Sequence, residues 1–81
     1  MYIAGQYKKR NGFGGKEYFC RTGLPVKLGS IVAIPYSGRN TPFLVTEINI
    51  SPDRIPAAVI DNLTEVTEFY ELSEREMDEL F

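Results

Sequence analysis

An 81-residue chain with 43% hydrophobic residues is the size of one small domain, with a modest core and marginal stability. It has one cysteine and no histidine, which removes an internal disulfide, the usual zinc ligands, and the base of Ser–His or Cys–His catalysis. The net charge of −2 conceals two opposed blocks: residues 1–54 set eight Lys/Arg against Glu17, Glu47 and Asp53, giving +5, while residues 55–81 set Arg75 against eight acids, giving −7.

The first residues, Met1-Tyr2-Ile3-Ala4-Gly5-Gln6-Tyr7, lack the basic-then-apolar pattern of a signal peptide. No stretch approaches the ~20 apolar residues that span a bilayer. A cytoplasmic protein with no membrane partner is expected. Tyr2 to Tyr7 is expected to form the first strand. Lys8-Lys9-Arg10-Asn11-Gly12-Phe13-Gly14-Gly15 reads as a loop, since Asn-Gly and Gly-Gly supply the positive φ angles of tight turns. Lys16 to Thr22, rich in aromatic residues, is the second strand.

Gly23, Pro25 and Gly29 punctuate the crossing to a third strand, Ser30 to Ile34, which Pro35 is expected to end because proline cannot donate to a ladder. Tyr36 to Thr41 reads as a turn, and Phe43 to Ile50 as the fourth strand. Ser51 to Pro56 is a second proline-punctuated loop. Ala57 to Leu63 has room for one or two helical turns, with Pro56 at the first position. Residues 64–71 fit both periods: Leu63, Val66, Thr67 and Tyr70 have helical spacing, but Thr, Val, Phe and Tyr favour a strand. The reading adopted is a short closing strand. Ser73 and Glu76 form a capping box, Leu72 and Met77 a hydrophobic staple, and Met77, Leu80 and Phe81 the apolar edge of a short acidic helix. Such a helix must dock on the barrel or on another chain.

Strand–turn–strand units of this length build small barrels. The expected fold is mainly β, a small five-stranded antiparallel SH3-like barrel over residues 1–71 with a short C-terminal helix over 72–81, all in one domain.

The chemistry of the chain points away from catalysis. The acids of residues 55–81 lack the calcium-loop pattern and read as a solvated face. Phe13-Gly14-Gly15-Lys16 lacks the spacing and the following Ser/Thr of a phosphate loop. Cys20 reads as a small apolar strand residue. No enzyme, metal or cofactor is expected. What remains is a basic, aromatic front, in which Tyr7, Phe13, Tyr18, Phe19 and Tyr36 interleave with Lys8, Lys9, Arg10, Lys16, Arg21, Lys27 and Arg39. Aromatic rings that stack on bases, with cations tracking phosphates, hold single-stranded nucleic acid on small barrels.

Alternation should turn two or three of those five rings inward, leaving Tyr36, Phe13 and one of Tyr18 or Phe19 exposed. The candidate nucleic-acid-binding residues are Lys8, Lys9, Arg10, Phe13, Lys16, Tyr18, Arg21, Tyr36 and Arg39. The acidic tail and the low pI of about 5.0 oppose this reading. Two functions follow: a module contacting nucleic acid, or a nucleic-acid-processing protein, through residues 7–21 and 36–40; and a protein–protein or self-assembly module, a homodimer formed through the C-terminal helix.

The run Val26-Lys27-Leu28-Gly29-Ser30-Ile31-Val32-Ala33-Ile34-Pro35-Tyr36, with Gly38 one residue later than that family's glycine, resembles a segment of the N-terminal domain of the bacterial primosomal replication-restart helicases. Glu17-Tyr18 is similar to that family's acid–aromatic pair. The resemblance covers about residues 16–69, and the same pattern is similar to small SH3-like barrel proteins of bacteria and their phages. The helicase resemblance implies binding of a DNA 3′ end, with Glu17, Tyr18 and the Tyr36–Gly38 turn near the site.

Overall fold

The computed structural model describes residues 1–9, 12–36 and 38–71, with the backbone alone at Tyr36. β1 (Tyr2–Lys9) is the central strand. It pairs antiparallel with β2 (Gly12–Phe13), with Lys8 opposite Phe13. Further along it pairs antiparallel with β3 (Tyr18–Thr22) on one side and β5 (Arg39–Glu47) on the other. β4 (Ile31–Tyr36) completes a hairpin with β5. Gly29, at φ 88°, makes the turn into β4, a backbone region open to glycine at no steric cost.

β6 (Glu65–Val66) lies beside β3, giving the order β4-β5-β1-β3-β6. The seam is then closed by the residues that follow. Phe69 bridges to Val32. The Ala33 amide donates to the Glu68 carbonyl at 3.0 Å, and the Tyr70 amide to the Ile31 carbonyl at 3.0 Å. The closing strand expected over 64–71 is thus limited to Glu65–Val66 beside β3, followed by a single bridge from Phe69 to β4. Thr22 is the latch. Its buried hydroxyl donates to the Val66 carbonyl at 2.7 Å and accepts from the Leu24 amide at 3.1 Å.

The result is a mainly β fold, a nearly closed barrel of five strands with one short helix. One pairing departs from the antiparallel expectation: β6 runs parallel to β3. The chain returns to β3 by a long crossing rather than a hairpin, and only such a crossing can deliver a parallel neighbour.

Side chains of one strand face fill the barrel. Ile3, Cys20, Val26, Val32, Ile34, Phe43, Val45 and Val66 form this buried interior. A second cluster, Ala4, Ile50, Ile55 and Leu63, with Tyr2, Phe19 and Ile60 packed on it, lies on the other face of β1 and β3. It is roofed by the crossing, which contains a 3₁₀ turn (Pro52–Arg54) and α1 (Ala57–Ile60). Sheet residues covered on both faces lose the in–out alternation, so Ile3 and Ala4 are both buried. The Arg54 guanidinium grips both carboxylate oxygens of Glu47, tying the turn to β5 and holding the Glu47 carboxyl below the ordinary carboxylate range. Both groups are exposed, so the pair orients the turn more than it stabilises the fold.

Cys20 is 2% exposed, and burial pushes its thiol up to about 11. It is the small apolar strand residue expected. Because thiolate is the reacting form, a disulfide reagent near pH 8 should label Cys20 only through opening of the barrel. The labelling rate should rise with denaturant as the fraction unfolded rises. Fast labelling of the folded protein would contradict this closed interior.

Several boundaries differ from the expectation. β4 runs through Pro35 to Tyr36, and β5 begins at Arg39 rather than Phe43. Lys8 and Lys9 are strand residues, and the helix after Pro56 is limited to Ala57–Ile60. The expected C-terminal helix, with Ser73, Met77, Leu80 and Phe81, lies outside the described residues, as do Arg10 and Asn11.

Candidate nucleic-acid interface

Strand register gathers the candidate residues at one end of the barrel. Tyr7 pairs with Phe43 in antiparallel strands, so the chain after Tyr7 runs beside the chain before Phe43. The Lys8–Phe13 pair, Arg39–Thr41 and the turn at Gly38 therefore share this mouth. β3 starts here too, since Tyr18 is opposite Gly5.

Three rings lead from the interior to the mouth. Phe43 is fully buried. The Tyr7 ring meets it edge-on, with centroids 5.1 Å apart and planes at 69°. Tyr18 meets Tyr7 in the same way, at 5.2 Å and 67°, the geometry that the quadrupoles of aromatic rings favour. Tyr18 is 43% exposed. The Lys16 ammonium stands 5.5 Å from its ring centroid, a cation–π distance. Beside these rings is a groove of about 380 Å3 lined by Tyr7, Lys8, Tyr18 and Thr41.

Loop 14–17 is pinned around the mouth by polar contacts. The Gln6 side-chain amide donates to the Gly15 carbonyl at 3.2 Å. The Lys9 side chain lies against Gly15. The Thr46 hydroxyl donates to Glu17 Oε1 at 3.2 Å, which ties the nearest acid in sequence to β5. The mouth then presents Lys8, Lys9 and Lys16 around an aromatic surface.

Lys8, Lys9, Phe13, Lys16, Tyr18 and Arg39 are thus brought to one end. Of the two alternatives for an exposed ring, Tyr18 is the exposed one, and Phe19 packs half-buried on the second cluster. Phe13 is half-buried rather than open. Two of the five rings turn inward without being fully buried: Tyr7 packs on the barrel interior and Phe19 on the second cluster. Arg21 is not part of the mouth. It sits near the far end of β3, with its guanidinium 3.7 Å from the Glu65 carboxylate. Tyr36 reaches this end through its backbone, opposite Arg39; Arg10 lies outside the described residues.

Tyr7, expected in the aromatic front but not among the candidate binding residues, and Thr41, outside both, line the groove. The signal for Tyr7 was its spacing of four from Ile3, which puts both on the interior face of β1. Thr41 was read as turn, so its face could not be assigned. Among the described residues no group of three or more metal-ligating side chains is gathered, and no helix is long and apolar enough to cross a membrane. Compared with known protein families, curated proteins and solved structures, the chain matches none.

Proposed function

We propose that this chain is a non-enzymatic binding module of SH3-like form that holds a short stretch of single-stranded nucleic acid at the barrel mouth. The observation carrying this reading is the row Phe43–Tyr7–Tyr18, which ends in an exposed ring beside an apolar groove, with Lys16 above the ring and Lys8 at the groove. A base stacks on the Tyr18 side of the groove, and Lys8, Lys9 and Lys16 meet the phosphates on either side of it. Stacking is tolerant of sequence because every base has a π-face, so little base specificity is expected. The resemblance to the replication-restart helicase domain adds the expectation that a 3′ end enters the groove.

The test is fluorescence anisotropy of the full chain with a short labelled single-stranded DNA across a salt series, with its 3′ hydroxyl free or blocked. Three lysine–phosphate contacts predict a log–log salt slope of about −2, from about −0.7 per contact on single strands. Weaker binding of the blocked end supports end recognition. Absence of binding at low salt sinks the nucleic-acid reading.

A further inference from the structure

A second concavity lies away from the mouth groove. It has a volume of about 650 Å3 and is lined by Ala33, Asn40, Glu68, Phe69, Tyr70 and Glu71. Asn40 and Thr41 are consecutive in β5, and successive strand residues point to opposite faces. Thr41 lines the mouth groove and Asn40 this one, so β5 runs between the two sites.

Their chemistry is complementary. Glu68 and Glu71 are exposed, and neither carboxylate has an ion-pair partner among the described residues. Phe69, between them, is 46% exposed although its backbone bridges to Val32. The mouth carries the opposite charge, with Lys9 and Lys16 exposed around the exposed ring of Tyr18. Arg39, which shares strand parity with Thr41, adds a further exposed cation at the mouth end.

We propose that the groove of Glu68, Phe69 and Glu71 is a docking site for the mouth of a second copy of this chain. Lys9 and Lys16 of one copy meet Glu68 and Glu71 of the next, and Tyr18 meets Phe69. With β5 between them, a copy's own mouth and groove form no ion pair among the described residues. Such a contact is heterologous and propagates head to tail instead of closing as a two-fold dimer. It is small, below the ~800 Å2 per partner of a standard interface, so association is weak and dependent on concentration and salt. It draws on the same lysines as the nucleic-acid reading without requiring that reading, and an oligonucleotide at the mouth would compete with it.

Sedimentation equilibrium of the full chain tests this. At low ionic strength the average mass should rise above the 9.2 kDa monomer with concentration, and fall back in ~1 M salt, where the screening length is about 3 Å. Glu68→Lys/Glu71→Lys and Lys9→Glu/Lys16→Glu should each stay monomeric, with far-UV circular dichroism unchanged at these exposed positions. Mixing the two variants should restore association, because each then offers the other a charge-matched surface. A wild-type mass that stays at the monomer value at every concentration overturns the proposal, as does a mixture that stays monomeric. The Glu68→Lys/Glu71→Lys variant keeps its mouth, so its oligonucleotide binding reports on the proposed function separately.

Discussion

Replacing Gly5 by alanine should cost on the order of 3 kcal/mol, at the upper end of the usual range for overpacking a core. Gly5 lies in β1 between Val45 and Tyr18, and the Phe43 ring lies directly against it. A Cβ at this position would overlap both the Phe43 ring and the Leu44 carbonyl oxygen. Phe43 has no exposed surface and no room to retreat, and the carbonyl belongs to the β1–β5 ladder. Gly5 is not among the positive-φ glycines, so the penalty is steric rather than conformational.

For a domain of this size 1 kcal/mol shifts the melting temperature by about 4–8 °C, so a fall of roughly 12–24 °C is expected by thermal denaturation. Adding Phe43→Leu to Gly5→Ala should recover part of the loss, leaving the clash with the backbone. Gly14→Ala, where an added Cβ meets nothing within 4 Å, is the control and should be close to neutral. A melting temperature for Gly5→Ala equal to that of the parent would mean that Phe43 does not pack across β1 as described.

The second large effect is on binding. Tyr18→Ala should weaken single-stranded DNA binding by about 5–150-fold, the equivalent of the 1–3 kcal/mol that one base–aromatic stack contributes. Tyr18 is 43% exposed, and its packing partner Tyr7 keeps its contact with Phe43, so the melting temperature should change far less than in Gly5→Ala. Tyr18→Phe preserves the ring and should bind nearly as the parent does. Lys16→Gln should make the log–log salt slope shallower by about 0.7. Arg21→Gln, which breaks only the distant contact with Glu65, should leave both affinity and slope unchanged. Parent-like affinity in Tyr18→Ala would remove the mouth as the binding site.

The barrel was legible in the chain because its strands carry β-branched and aromatic residues between glycine and proline punctuation. The strand ends were not, and the prolines show why. The Ala33 amide points to the closing segment, so two residues on, the nitrogen of Pro35 points to the same edge, beyond the last hydrogen bond of that segment. The Pro42 nitrogen points to β1, but pairing there stops at Tyr7 and Phe43. Each missing donor falls where no acceptor faces it, and both strands continue through their prolines. That depends on which neighbour each edge faces, which a single sequence does not encode.

The candidate site was legible to the extent that it is local. Lys8, Phe13, Lys16 and Tyr18 are close along the chain and stay close in space. Arg21, three residues beyond Tyr18, is carried away because strand residues advance about 3.3 Å each. Thr41 arrives only through the β4–β5 register. The acidic groove joins residues 33 and 40 to 68–71 across the seam, and no local pattern announces it.

The seam also sets a timetable for the chain. Thr22 waits 44 residues for its acceptor on Val66, and β4 waits for Phe69. During synthesis, the first five strands can meet only as an open sheet until residues 64–70 emerge, with the interior faces of β3 and β4 uncovered. Contacts so distant in sequence slow folding and prolong the interval in which bare strand edges are open to other chains. The newborn chain is therefore most prone to aggregate in the interval before residues 64–70 emerge, and substitutions at Thr22 or Val66 should lower soluble yield out of proportion to their effect on the finished fold.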